Sequence, residues 1–145
     1  MQAPDIALAW RVAESMRERD SASRALGMEI LAMAAGEASV SMRIRDDMLN
    51  GHGSCHGGMI FSLADSAFAF ACNSRNEVTV AAGCSIEFLS PGWPGQTLTA
   101  VAREQARSGR QGVYDVRVCN DNDEVVAVFR GKSTRIRGEV VPEKE

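Results

Sequence analysis

The sequence lacks the features of membrane and secreted proteins. Within its 145 residues, no apolar run reaches the ~18 residues needed to cross a bilayer. The start, MQAPDIALAWRVAESMRERD, does not have the basic-then-apolar order of a secretory signal. The four cysteines form no CxxC pair, and we expect Cys72, Cys84 and Cys119 to be small, buried, reduced residues. We therefore expect a cytoplasmic protein.

An excess of positive charge is also missing. The net charge is −3, which argues against nucleic acid or an anionic membrane as a partner. Hydrophobic residues make up 45% of the chain and charged residues 24%, as is typical of a folded globular domain. No repeat or linker divides the chain, so residues 1–145 predict a single domain, with a frayed tail at 138–145.

Periodicity predicts two helices and about six strands. Leu8, Val12 and Met16 recur at helical spacing and indicate a surface helix over 7–19. Two short runs on either side of Gly36 suggest a hairpin, and VYDVRV alternates with the period of a strand. Four strands are expected after a long apolar segment, which gives an α+β protein with one helix inserted after the second strand.

That inserted helix, from Gly57 to about Asn73, is apolar on nearly every side. Such a helix must be buried, and in a chain of this length only the antiparallel sheet can wrap it. Its few polar side chains recur at steps of three, four or seven residues, so they share a stripe that faces something other than the sheet. These are Ser62, Asp65, Ser66 and Asn73.

A glycine-rich loop, NGHGSCHGG, leads into this helix. Helix N-termini have N–H groups without internal partners and carry the positive end of the dipole. The N–H of Gly57 is therefore positioned to hold a developing oxyanion, although the glycines also suit a tight turn. Asp65 is either a structural carboxylate or a general base or nucleophile, since an unpaired buried acid is costly.

Gly57 and Asp65 cannot act together within one chain. Eight residues of helix separate them by about 12 Å along the axis. If two copies pack these helices antiparallel across a two-fold axis, Asp65 of one copy approaches Gly57 of the other. A dimer with two shared sites is therefore expected.

Other chemistries for the loop are less well supported. His52, Cys55 and His56 form an HxxCH pattern, but no second ligand pair accompanies it, so no metal site is predicted. Adjacent Cys55 and His56 do not point toward each other as a nucleophile and base would. His52 and His56 are expected to shape the loop or to hydrogen-bond near a substrate, and a role as acid or base stays open.

From about residue 22 to 137, the chain resembles the hotdog-fold acyl-CoA thioesterases, and within them the thioesterases of phenylacetic acid degradation. The motifs that carry the resemblance are MLNGHGSCHGG, FSLADSAFAFACNS, IEFLSPG, GVYDV and FRGKS. The resemblance implies a hotdog fold, in which an antiparallel sheet wraps one long central helix, with an N-terminal surface helix added here. It also implies a cytoplasmic homodimer with shared sites, two of which pair into a homotetramer. No cofactor is implied, because coenzyme A is part of the substrate and product.

The resemblance assigns roles residue by residue. It implies that Gly57 supplies the oxyanion-hole N–H, that Asp65 of the neighbouring subunit is the catalytic carboxylate, and that Asn50 positions the thioester or the attacking water. His56 matches a histidine beside the helix start. The remaining candidates for substrate contacts are His52, Gly58, Met48, Phe61 and Phe68, although core packing is the expected role of the two phenylalanines.

Coenzyme A carries phosphates, which an acidic protein must meet with local cations. The candidates for this rim are Arg107, Arg110, Lys132, Ser133 and Arg135. The expected activity is hydrolysis of phenylacetyl-CoA and its ring-hydroxylated forms to the free acid and coenzyme A. Two alternatives stay open, a non-catalytic acyl-CoA binding protein and a hotdog dehydratase acting on hydroxyacyl thioesters.

Overall fold

The computed structural model describes residues 2–142 and contains three α-helices and six strands within them. The helices are α1 (Ala3–Arg19), α2 (Ser21–Ala25) and α3 (Gly57–Asn73), with a 3₁₀ turn at Asp46–Met48. The strands are β1 (Glu29–Ala34), β2 (Glu37–Arg43), β3 (Thr79–Phe88), β4 (Thr97–Ser108), β5 (Gln111–Cys119) and β6 (Val125–Arg135). The predicted six strands and the long helix after the second strand are confirmed.

All six strands form one antiparallel sheet in the order β1-β2-β4-β5-β6-β3. The chain makes the β1–β2 hairpin, passes through α3, and then places β3 at the far edge of the sheet. The next strand, β4, returns to pair with β2. Among residues 2–142, no helix is both long and apolar enough to span a membrane.

Helix α3 is the centre of the core because apolar side chains cover most of its circumference. It packs against strands β2 to β6, and Leu63, Ala64 and Ala67 have no exposed surface. The ring of Phe68 lies so close to Gly131 that a Cβ there would come within 2.7 Å of it. Burying a side chain of this size stabilises the fold by about 1.5–3 kcal/mol. The expectation that the sheet wraps the helix is confirmed.

Helix α3 and strand β3 run antiparallel along one another. At one end, the position of a Cβ on Gly57 is 3.2 Å from the ring of Phe88. At the other end, the Asn73 amide donates to the Thr79 carbonyl (3.0 Å) and accepts from the Thr79 N–H (2.9 Å). Asp65, halfway along α3, therefore lies beside the middle of β3.

Strand β3 is unusually exposed for a strand of ten residues. As an edge strand it pairs with β6 on one side only, and Val80 and Phe88 are 45% and 52% exposed. The expectation that Cys84 is buried is wrong for the single chain, because this residue lies on β3. Cys72, on α3, is buried as expected, and Cys119 is half-buried.

The chain beyond β6 does not fray where the structure describes it. Asn76 donates to the Val141 carbonyl and accepts from the Val141 N–H, both at 2.8 Å, and Val141 is buried. Arg11 donates to the carbonyl of Pro142. The predicted tail of 138–145 is therefore corrected for residues 138–142, which dock on the domain, and residues 143–145 lie outside the described residues.

Candidate active site

The first turn of α3 leaves one backbone donor free. The N–H of Gly58 donates to Nδ1 of His56 (2.8 Å), and the N–H groups of Met59 and Ile60 donate to the His56 carbonyl. Among the residues that the structure describes, the N–H of Gly57 has no acceptor. At the positive end of a helix dipole, such a donor is suited to a polarised or negatively charged oxygen.

His56 holds this helix end in place. Because its Nδ1 accepts the Gly58 N–H, a neutral His56 ring keeps its proton on Nε2. The His56 N–H in turn donates to the carbonyl of Met48 (2.8 Å). A side chain in this position satisfies one of the orphan donors of the helix, as an N-cap does. The structure thus gives His56 a definite role in positioning Gly57.

Asn50 organises the loop before the helix. Its Oδ1 accepts from the N–H of His52 (2.9 Å) and of Ser54 (3.3 Å), while its Nδ2 donates to Ser54 Oγ (3.0 Å). The loop is anchored further where the Cys55 N–H donates to the Gly92 carbonyl (2.8 Å). The second N–H of the Asn50 amide remains available to a ligand.

A cavity of about 360 Å³ joins these groups. Asn50 and Gly57, two of the predicted site residues, both line it. The cavity is completed by Cys55, Ile60 and the segment Phe88–Pro91. Sequence reasoning did not place that segment at the site. The segment lies within the motif IEFLSPG, which contributed to the family resemblance without indicating a role at the site.

Asp65 is a half-buried carboxylate without a hydrogen-bond partner among residues 2–142. Burial raises its pKa above the ordinary value of an aspartate, and the negative charge of Asp20 adds to this effect. The structural alternative, in which Asp65 caps a neighbouring group, thus gains no support from a contact. A carboxylate in this state is suited to proton transfer or nucleophilic attack.

Asp65 lies on a stripe of α3 that the sheet leaves partly uncovered. Ser62 and Ser66 share the stripe and are also half-exposed. Asn73, expected on the same stripe, instead bonds to Thr79 and is buried, because it joins the end of α3 to the start of β3. Asp65 does not line the cavity that contains Gly57. The single chain therefore holds the two halves of the predicted site apart.

The proposed phosphate rim is partly assembled at the other end of α3. A depression there is lined by Arg107, Arg110, Ser133 and Arg135, and it adds Arg75 and Cys72. Some of this charge is already neutralised, since Arg107 pairs with Glu77 (3.3 Å) and Arg75 with Glu104 (2.7 Å). Lys132 is exposed and does not line the depression.

Several candidate substrate contacts lie elsewhere in the single chain. Met48 and Phe68 are 2% and 1% exposed and belong to the core, so they do not reach the cavity. Phe61 is half-buried in an edge-to-face contact with Phe129. His52 is exposed outside the cavity, and Gly58 lies against the His56 ring. The long apolar side chains of Met48 and Phe68 fill the core, which is the role that was expected for Phe68.

Two further observations delimit the site. Within residues 2–142, no three His, Cys, Asp or Glu side chains converge as metal ligands would. A larger groove of about 810 Å³ lies on the outer face of the sheet, among charged side chains that include Arg103, Arg117 and Arg130. It contains neither Gly57 nor Asp65.

Comparison with known proteins identifies the family. The family model described as "Thioesterase superfamily" matches residues 52–127. The acyl-coenzyme A thioesterase PaaI of Escherichia coli is 50% identical over 93% of this chain and 96% of its own. A putative esterase of Archaeoglobus fulgidus is 34% identical over 91% of this chain and 86% of its own.

Solved structures show the same architecture. The E. coli PaaI protein from the phenylacetic acid degradation operon superposes with a TM-score of 0.91 at 49% identity, covering 92% of this chain and 97% of that one. The TT0310 protein of Thermus thermophilus gives a TM-score of 0.78 at 41% identity, covering 81% and 99%. The chain therefore belongs to the thioesterase superfamily, and it is a thioester hydrolase with the hotdog fold.

Proposed function

We propose that the protein hydrolyses acyl-CoA thioesters, with phenylacetyl-CoA and its ring-hydroxylated forms as preferred substrates. The free N–H of Gly57, which opens into a cavity shared with Asn50, carries the proposal. The name and operon of the E. coli relative support the choice of substrate. Coenzyme A enters as part of the substrate and leaves as product, and no separate cofactor takes part.

The chemistry follows from the charge that develops during thioester hydrolysis. The thioester carbonyl accepts the Gly57 N–H, and the helix dipole stabilises the oxyanion that forms on that oxygen. The free N–H of Asn50 orients the thioester or the water. The Asp65 carboxylate either takes a proton from the attacking water or attacks the carbonyl carbon directly to give a mixed anhydride.

We place Asp65 of one copy beside Gly57 of another. The exposed edge of β3 presents unpaired backbone groups, and a second β3 added antiparallel would satisfy them. Because α3 runs antiparallel to β3, the two α3 helices would then lie side by side in opposite directions. Their half-exposed stripes would face each other, and each dimer would have two identical sites. Pairing of two such dimers gives the proposed tetramer.

The position of the arginine depression supports its role as the phosphate rim. Cys72 lines the depression and lies seven residues beyond Asp65, about 10 Å along α3. The copy that supplies Asp65 to a shared site therefore also supplies Arg107, Arg110 and Arg135. The phosphates would lie well away from the reacting carbonyl, as the long pantetheine arm of coenzyme A requires.

Release of free thiol from phenylacetyl-CoA tests this function. We expect turnover by the wild type, with a higher kcat/KM for phenylacetyl-CoA than for acetyl-CoA. Asp65→Asn and Asp65→Ala should each lower kcat by roughly 10²- to 10⁴-fold. Asp5→Asn removes an exposed carboxylate on α1 and serves as the control. Binding without thiol release by the wild type would contradict the proposal, and full turnover by Asp65→Ala would refute the role of Asp65.

A further inference from the structure

Phe88 lies directly beside the free donor of the site. Its ring atoms are 3.2, 3.5 and 3.7 Å from the position of a Cβ on Gly57, and it lines the same cavity. Although it contacts α3, the side chain is 52% exposed. One face of the ring therefore packs against the start of the helix, and the remainder of its surface is presented to the cavity.

The backbone around Phe88 is held firmly. Phe88 is in register with Ala127 of β6, and the Leu89 N–H donates to the Val126 carbonyl (2.8 Å). The Ser90 hydroxyl donates to the Val125 carbonyl (2.8 Å). With the main chain fixed on both sides, the ring can move only by rotation about its own side-chain bonds.

The contact explains why residue 57 is a glycine. Gly57 has no positive φ that would require glycine, and alanine favours helices more than glycine does. A methyl group at this position would instead have to displace the Phe88 ring by a few tenths of an ångström. The displaced ring would then lie further into the cavity, where the carbonyl of a substrate has to approach the Gly57 N–H.

On the basis of the function proposed above, we infer that Phe88 is a specificity-determining residue, whose ring forms the wall beside the thioester carbon. A flat apolar group one methylene away from the carbonyl packs on this ring, whereas a branch on the carbon next to the carbonyl clashes with the ring. The ring also excludes water, which would compete for the Gly57 donor. Aromatic pairs of this kind gain more than the area they bury accounts for.

The first test compares two substrates that differ by one branch, phenylacetyl-CoA and 2-phenylpropanoyl-CoA. We expect Phe88→Ala to lower kcat/KM for phenylacetyl-CoA by up to about tenfold. The kcat/KM for 2-phenylpropanoyl-CoA should fall less or rise. The ratio of kcat/KM for phenylacetyl-CoA to kcat/KM for the branched thioester should therefore decrease. Leu31→Ala, which removes a 51% exposed apolar side chain from the opposite edge strand, should leave the ratio unchanged.

The second test is a double-mutant cycle on the same contact. Gly57→Ala should lower kcat/KM, and Gly57→Ala combined with Phe88→Ala should be no worse than Phe88→Ala alone, because the clash is gone. Independent, multiplicative effects would overturn the inference, as would an unchanged substrate ratio in Phe88→Ala. Absence of thiol release from the wild type with every thioester would instead refute the proposed function.

Discussion

At the scale of single residues, Gly57 and Asp65 contribute in different ways. Gly57 acts through its backbone, so its contribution depends on where the loop and His56 hold the helix end. In the proposed mechanism, Asp65 acts through a half-buried side chain near Asp20 that has no hydrogen-bond partner among residues 2–142. The ionisation of Asp65 is therefore the most accessible experimental variable of the site.

The pH dependence of the reaction should reflect the raised pKa of Asp65. The carboxyl must be ionised to act, so kcat/KM should rise as the pH increases through this pKa. Asp20→Asn removes the neighbouring charge and should move this acidic limb to lower pH without changing the plateau. Asparagine can still cap α2, as Asp20 does by accepting from Ser23. A limb that stays in place or moves upward in pH–rate profiles would contradict this prediction.

The raised pKa of Asp65 also predicts that the ionised carboxylate lowers the stability of the fold. The folded protein holds the Asp65 proton more tightly than the unfolded chain does, so the free energy of unfolding falls as the pH rises between the two pKa values. Asp65→Asn should therefore raise Tm at pH 7, with a smaller gain at about pH 3. Asp115→Asn is the control of opposite sign, because a hydrogen bond from Arg130 lowers the pKa of Asp115. Calorimetry at both pH values measures the differences.

Sequence reasoning identified these residues because their signals are local. A glycine at a predicted helix start and a single acid in an apolar helix are both visible in one block of the chain. Phe88 could not be placed in the same way, since its position beside Gly57 depends on how β3 packs along α3. The sequence could not place Met48 either, because an apolar side chain near a site gives the same signal whether it faces a ligand or the core.

At the scale of elements, α3 and β3 form one unit that Asn73 joins. Its amide bonds to the carbonyls of Ala69 and Thr79 and to the Thr79 N–H. We expect Asn73→Ala to lower the free energy of unfolding by about 1–3 kcal/mol, because it leaves backbone groups of Thr79 without a partner. Urea denaturation measures the loss. Ser66→Ala on the uncovered stripe is the comparison, and a loss as large in that variant would argue against the role of Asn73.

The bounds of α3 follow from its sequence, whereas the edge position of β3 does not. Apolar residues on all sides require burial, and Gly57 and Asn73 mark the ends of the run. Strand order depends on long-range pairing, and an edge strand has the same residue alternation as a central one. For this reason the exposure of Cys84 was not foreseen, although six strands and an inserted helix were.

At the scale of the whole molecule, the proposed site requires two chains. Mixing Asp65→Asn chains with Gly57→Val chains should restore activity, because a mixed dimer has one site with both Gly57 and Asp65 intact. Random pairing makes half of the dimers mixed, so about one quarter of the wild-type activity is expected. Thiol release after joint refolding measures it, and each variant refolded alone is the control. An active, strictly monomeric protein in light scattering would contradict the shared site.

The exposed Cys84 also allows pairing of β3 to be followed by thiol labelling. A maleimide should label Cys84 quickly in dilute, dissociated chains and slowly once a second β3 covers the strand. Cys119, half-exposed and away from that edge, gives an internal reference rate in the same sample. Cys55 and Cys72 should add little background, since both are buried and burial raises the pKa of each thiol, to about 12 for Cys72. Measured over a dilution series, the ratio of the two labelling rates would thus give the dissociation constant of the proposed dimer without any substitution in the chain.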